Sequence, residues 1–268
     1  MRSLNVLVRG AGEHASATAH RLFRCGLRVV MTEVQHPTAV RRAVSFCTAV
    51  FDGTCAVEDV PGRLWNLVEW EELGRRDLDH VPVFVDPEGR LVEGWRPDVI
   101  VDARILKRND GNSLEQAPLV IGLGPGLLAG QDVHLVIETL RGHDLGRIIR
   151  SGYGAADTGV PGPIAGHTAE RVLRAPCAGT LETRLEIGQL VHAGDVVCTV
   201  AGQPVQATIS GMLRGVVHGG IEVPANLKVG DVDPRGEPAF CFTISDKART
   251  IAGSVLEAIL SRFPPRWP

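Results

Sequence analysis

The chain alternates between short apolar runs and glycine-punctuated polar segments. Asn5-Val6-Leu7-Val8-Arg9 reads as a buried strand, and Gly10-Ala11-Gly12 follows at once. A helical period then runs from about Ala15 to Cys25, and Arg28-Val29-Val30-Met31-Thr32 is a second strand closed by Glu33. Further strands are expected at 54–57, 81–85, 98–102, 119–121 and 133–137, with another candidate at 145–150. Helices are expected from Pro37 or Thr38, carrying Val40, Ala43, Val44 and Cys47, and from Gly62 to Leu73, with Trp65 and Val68 or Trp70 facing inward. Residues 151–168 hold seven glycines and prolines and read as a long loop. Thr250 to Ser261 reads as an amphipathic helix.

The opening order of strand, glycine turn, helix, strand and acid is that of a Rossmann-type unit. In such a unit glycines let the backbone approach a pyrophosphate at a helix N-terminus, and the acid can hold a ribose hydroxyl. Gly10, Gly12 and Glu33 are the candidate ligand-binding residues here. The fingerprint is incomplete, because Ala15 stands where a third glycine is expected and Glu13 would repel a diphosphate. Gly122, Gly124 and Gly126 form a second glycine-rich turn after an apolar run and are expected on the same sheet edge. Glu138, Arg141 and His143 follow the next strand and are the candidate catalytic residues. Arg141 suits an anion, and His143 suits proton exchange or a soft metal.

From Arg174 the texture changes to short strands and regular glycines. Ala175-Pro176, Gly188-Gln189-Leu190 and Val191-His192-Ala193-Gly194-Asp195 resemble the first half of a biotinyl/lipoyl-type barrel, and Ile209 to Val217 resembles the start of the second half. Carrier domains modify a lysine between the halves. This chain has three lysines, Lys107, Lys228 and Lys247, and none lies there, so covalent biotin or lipoate is not expected. The expected architecture is therefore α/β: a Rossmann-like parallel-sheet domain over 1–168, a biotinyl/lipoyl-like β-barrel module over 169–245, and a C-terminal helix and tail over 246–268. Lys228, Asp231, Asp233 and Arg235 form a charged barrel rim.

Composition narrows the classes. A net charge of −3 advertises no nucleic-acid surface, and no apolar run approaches the ~20 residues of a membrane helix. Met1-Arg2-Ser3 runs straight into a strand, so no leader is expected and the chain reads as cytoplasmic. The six cysteines have no Cys-x-x-Cys spacing, which argues against a metal centre or disulfide framework. Cys25 and Cys198 read as buried thiols, and Cys47 as packing or a reactive thiol.

Several phrases taken together resemble one family. They are Val8 to Gly12, His36 to Arg42, Gly122 to Gly126, Glu138 to Arg147 and Leu227 to Arg235. The set is similar to accessory proteins of the selenium-dependent molybdenum hydroxylase system, of the xanthine dehydrogenase type. The resemblance implies maturation of, or cofactor supply to, such a hydroxylase, with the hydroxylase or its maturation proteins as partners. The implied ligand is a nucleotide, a phosphate or oxyanion, or a molybdenum-cofactor-related molecule; enzymatic activity and self-association stay open. One alternative is an NAD(P)-dependent oxidoreductase. Another is a non-enzymatic scaffold that docks a partner through the barrel.

Overall fold

The computed structural model describes residues 4–74 and 78–264. Met1 to Ser3, on which the expectation of no leader rests, lie outside them. The first unit contains β1 (Asn5–Arg9), α1 (Glu13–Arg24), β2 (Arg28–Glu33), α2 (Ala49–Asp52), β3 (Thr54–Val57), β4 (Val60–Trp65), β5 (Val81–Val85), α3 (Arg90–Trp95), β6 (Val99–Asp102), β7 (Leu119–Leu123), β8 (Leu135–Ile137) and β9 (Ile148–Ile149). They form one nine-stranded sheet in the order β3-β4-β5-β2-β1-β6-β7-β8-β9. Pairing is parallel through the centre, and antiparallel between β3 and β4 and between β8 and β9. Strands threaded after β1 go to one side and those from β6 onward to the other, so the order reverses between β1 and β6.

Alternation along β1 assigns its two faces. Val6 and Val8 pack into a core with Ala15, Ala19 and Leu22 of α1, whereas Leu7 packs into a separate core with Val30, Phe84, Leu91 and Ile100. The first face is covered by α1 and by the chain's last helix. The second is covered by the short α3, a 3-10 segment at Leu67–Gly74 and irregular chain.

The second unit contains β10 (Val172–Arg174), β11 (Gly179–Thr183), β12 (Leu190–Val191), β13 (Val196–Val200), β14 (Gln203–Gln206), β15 (Gly211–Val216), β16 (Glu222–Val223) and β17 (Lys228–Asp233). These make two four-stranded antiparallel sheets, β10-β17-β15-β12 and β14-β13-β11-β16. Their shared core includes Leu173, Leu181, Val197, Leu213 and Val229. The chain then passes through α4 (Ala239–Phe242) into α5 (Asp246–Arg262). Helix α5 returns to the first unit and buries Ala248, Ile251, Ala252, Val255, Ala258 and Ile259 in its core. Alanine, serine and threonine on the buried face of α1 let the two helices pack closely.

This corrects the expected architecture of a Rossmann-like parallel sheet followed by a biotinyl/lipoyl-type barrel. The sheet is mixed and nine-stranded, and the second unit is two separate sheets. The physical reason lies in the connections. The β6–β7 and β7–β8 segments carry glycine, proline and polar residues with no helical period, so only a 3-10 turn at Leu114–Gln116, and no α-helix, forms there to cover the second face. Gly62–Leu73 is only partly helical: Gly62 to Trp65 belong to β4, paired between β3 and β5, and Leu67–Gly74 form a 3-10 helix. Trp65 and Trp70 face the core as expected, while Val68 is exposed. The segment expected as a helix from Pro37 forms two 3-10 turns, Arg42–Val44 and Phe46–Thr48. Cys25, expected buried, is exposed at the end of α1. Among the described residues no helix is long and apolar enough to cross a membrane.

The α1–α5 packing makes a testable claim. Ile251→Ala removes a fully buried side chain from this core, and the expected loss is about 2–5 kcal/mol in urea unfolding. Leu260→Ala, on the exposed side of the same helix, should stay within about 0.5 kcal/mol. Equal, small effects would mean that α5 is not held as described.

Candidate functional site

The glycine turn after β1 is tight because Gly10 has a φ of +91°, and a Cβ there would lie 3.3 Å from the Arg104 side chain. Several of its polar groups are already used. Ala11 N–H donates to Glu33 Oε2 at 2.7 Å, and Val34 N–H to Glu33 Oε1 at 2.8 Å. Burial raises the Glu33 carboxyl above its ordinary value despite those donors. Ala11 C=O accepts from Cys47 N–H and Ser16 Oγ. Gly10, Gly12 and Glu33 thus lie together as expected, but the acid is folded back onto the turn.

Glu13 stands at the first position of α1. It accepts from Ser245 Oγ at 2.8 Å and from Arg41 Nη1 at 3.5 Å. Burial works to raise its carboxyl, yet the Arg41 guanidinium, His14 and the Ser245 hydroxyl bring it down to about 2. Beside it, burial lowers His14 to about 4, and its Nδ1 is buried with no hydrogen-bond partner. The positive helix ends here meet the chain's own carboxylates, the natural charge for that position.

The second glycine turn serves packing. A Cβ at Gly126 would lie 2.1 Å from Leu106 O, and one at Gly122 would lie 2.6 Å from Leu127 Cδ1. Gly124, with φ +92°, lies against Ile105 and Thr139. Glu138 is buried and accepts from Leu140 N–H at 2.7 Å and Ala155 N–H at 2.6 Å, so it stitches the 151–168 loop to the end of β8. Arg141 makes a bidentate pair with Asp246 at 2.6 and 3.0 Å, while His143 is exposed. In the second unit, Asp231 is buried against Arg171 and lies 3.5 Å from Lys228 Nζ. Asp233 is buried between Arg214 at 3.6 Å and Arg235 at 2.6 Å.

Charges from several of these segments bear on one further residue. Lys247, in the first turn of α5, is lowered chiefly by burial and also by Arg141 and Lys228, against the opposing pull of Glu13 and Glu138. Most other charges in this cluster are paired. Cys47 is buried and its thiol is pushed well up by burial, so it is packing rather than a nucleophile.

An open cleft lies elsewhere, on the second face of the sheet at the β1–β6 reversal. A cleft of about 1260 Å³ runs between α3 and residues 110–118, with Arg9 and Arg104 in its lining. Arg9 closes β1, opposite Asp102 of β6. It is nearly buried and donates from Nη1 to Asn112 Oδ1 at 3.1 Å, and its nearest carboxylate oxygen among the described residues, on Asp102, is 4.0 Å away. Burial and the neighbouring Arg104 lower it from the usual arginine value. Arg104 is better served, by Asp102 at 2.5 Å and Asp110 at 2.7 Å. Glu93, Arg96 and Glu115 are exposed on the walls. The available sequence signal was a charged residue ending an apolar strand, as at Arg9 and Asp102.

The acid response of Glu13 and His14 can be measured. Both have folded values below their ordinary 4.5 and 6.5, so the unfolded chain binds protons more readily and acid destabilises the fold. The His14 contribution is complete above about pH 6.5 and is lost as pH falls toward 4; that of Glu13 is lost from about 4.5 toward 2. His14→Gln should flatten the fall in Tm over the upper window and Glu13→Gln over the lower one. Variant curves parallel to wild type would refute these environments.

No family model matches the chain. Uncharacterized protein YqeB of Escherichia coli (strain K12) is 46% identical over 256 residues, which cover 95% of this chain and 47% of YqeB. The chain therefore spans about half the length of that curated relative. An aspartoacylase family protein from Mesorhizobium loti aligns over 87% of this chain and 86% of its own, at 13% identity and a TM-score of 0.28. The product-bound ectoine utilization protein EutE from Ruegeria pomeroyi aligns over 87% and 85%, at 13% identity and 0.26. A succinylglutamate desuccinylase/aspartoacylase from Rhodobacter sphaeroides aligns over 86% and 85%, at 13% and 0.26. Likeness at this level carries no reaction or residue role to this chain. YqeB is itself uncharacterized and the three solved structures bear other names, so none of these relatives supports a tie to molybdenum hydroxylase maturation. The resemblance to the selenium-dependent molybdenum hydroxylase system is corrected accordingly, as are the maturation role and the hydroxylase partners that it implied.

Proposed function

We propose that this chain binds a small amino-carboxylate in the cleft over the β1–β6 junction. The observation that carries the reading is Arg9, a nearly buried guanidinium on the cleft with no carboxylate oxygen closer than 4.0 Å among the described residues. A buried cation held beside a second cation favours an incoming anion. The position also suits a ligand, since open parallel sheets bind at the strand ends where the order reverses.

The wall charges refine the ligand class. Arg9, Arg96 and Arg104 share the cleft with Glu88, Glu93, Asp98, Asp110 and Glu115. A phosphate dianion would meet those acids as well as the arginines. A single carboxylate on Arg9, with an ammonium turned to Glu93 or Glu115, satisfies both signs of charge. The reading includes a cytoplasmic location, in keeping with six free cysteines.

Thermal shift and calorimetry with L-glutamate, L-lysine and γ-aminobutyrate, against acetate and ethylamine alone, test this reading. At least one amino-carboxylate should raise the Tm, while the single-charge controls should not. Arg9→Gln should weaken binding about tenfold or more, as loss of a charged hydrogen bond worth ~1.5–3 kcal/mol requires. Glu93→Gln with Glu115→Gln, on exposed walls, should weaken the amino-carboxylate without lowering the Tm of the free protein. If none of the three compounds binds, or if Arg9→Gln binds as tightly as wild type, the assignment fails.

A further inference from the structure

His20, on α1, faces the tight turn between β3 and β4, whose two linking residues, Glu58 and Asp59, are both acids. His20 Nε2 lies 3.0 Å from Asp59 Oδ1 and 3.8 Å from Glu58 Oε2, and all three atoms lie within 4.8 Å of one another. Zinc bonds of about 2.0–2.2 Å in a tetrahedron place ligand atoms about 3.3–3.6 Å apart, so the two observed separations bracket that spacing.

The imidazole and the outer contacts set this group apart from a patch of surface acids. The His20 side chain is only 13% exposed, and its Nε2 is directed at both carboxylates. Each carboxylate is divided between two tasks. Glu58 Oε1 accepts from Ile244 N–H at 3.0 Å and from Arg249, which leaves Oε2 toward His20. Asp59 Oδ2 lies 2.8 Å from Arg24 Nη1, which leaves Oδ1 toward His20. Outer contacts of this kind orient metal ligands and fix which oxygen is presented. The two guanidinium charges offset the two carboxylate charges. A magnesium or calcium ion, which relies on carboxylate charge, therefore gains little, and the nitrogen ligand favours an ion of the zinc type.

We propose that His20, Glu58 and Asp59 form a binding site for a divalent transition-metal ion of the zinc type, with the remaining coordination supplied by water. Bound there, the ion ties α1 to the β3–β4 turn and, through Glu58 and Ile244 N–H, to the chain entering α5. The site stands apart from the cleft and does not depend on the ligand assigned to it.

Equilibrium dialysis of the metal-free protein against Zn²⁺, with Mg²⁺ as control, tests the site in wild type, His20→Ala and Asp59→Asn. Wild type should retain one more equivalent of Zn²⁺ than His20→Ala, and Asp59→Asn should bind that equivalent at least tenfold more weakly. Zn²⁺ should raise the Tm of wild type by several degrees and that of His20→Ala by less, while Mg²⁺ should shift neither. The comparison with His20→Ala removes adventitious binding at other histidines and cysteines. Equal zinc retention by wild type and His20→Ala, or undiminished affinity in Asp59→Asn, would show that the three residues are an ion-pair cluster only and overturn the proposal.

Discussion

The guanidinium of Arg41 joins the two units, and much of the molecule's arrangement depends on it. It is buried, so its charge must be met by protein. Glu13 at the start of α1 supplies the counter-charge at 3.5 Å. Phe240 O at 3.0 Å and Thr243 O at 3.2 Å, in and just after α4, supply acceptors. One side chain thereby links the glycine-turn helix, the 34–48 segment and the chain returning from the second unit. Nearby, Arg42 Nε donates to Val216 O at 3.0 Å, and Gly215 leaves room for Val40, since a Cβ there would lie 2.6 Å from Val40 O. Phe51 stacks on His218 with ring centroids 4.0 Å apart. These contacts place the second unit firmly on the first.

That junction also explains what became of the glycine turns. Two helix N-termini, a buried arginine and a half-buried lysine gather at one place, which is a strongly positive setting. The chain meets it from within, with Glu13, Glu33 and Asp246 on or beside the helix starts. Gly10 lets the turn close against Arg104, while Gly122 and Gly126 let strand and loop approach neighbouring chain. Glycine serves close approach in either case, and whether the approaching group is a phosphate or the protein itself depends on what the rest of the chain brings there.

The cleft has a complementary origin. One face of the sheet receives α1 and α5; the other receives a short helix and irregular chain. With only a 3-10 turn between β6 and β7, Arg9 and Arg104 stay open to the cleft. Asp102, fully buried, meets both because β1 and β6 are neighbours in the parallel order, and Asn112 and Asp110 arrive on the long β6–β7 connection.

Local pattern was enough to read β1, β2, β5, β6 and β7, because each is a short apolar run bounded by glycine, proline or charge. It was also enough for the 151–168 loop and for α5, whose buried positions repeat at helical spacing. The helix expected over Gly62 to Leu73 is split, because its apolar residues fit a helical period as well as a strand: pairing with β3 and β5 takes Gly62 to Trp65 into β4, and Leu67–Gly74 wind as a 3-10 helix. Glu138, Arg141 and the Lys228 to Arg235 phrase were legible as charged residues at strand ends, but their partners, Ala155 N–H, Asp246 and Arg171, lie tens of residues away. The cleft around Arg9 was marked only by a charge ending an apolar strand, and the buried His14, the half-buried Lys247 and the His20–Glu58–Asp59 group carry no local signature. Sequence determines which residues alternate, turn or carry charge, since those are properties of neighbours along the chain. Which charges are buried, which are paired and which face a cavity was decided only by folding, because solvation and Coulomb energy depend on distance through space.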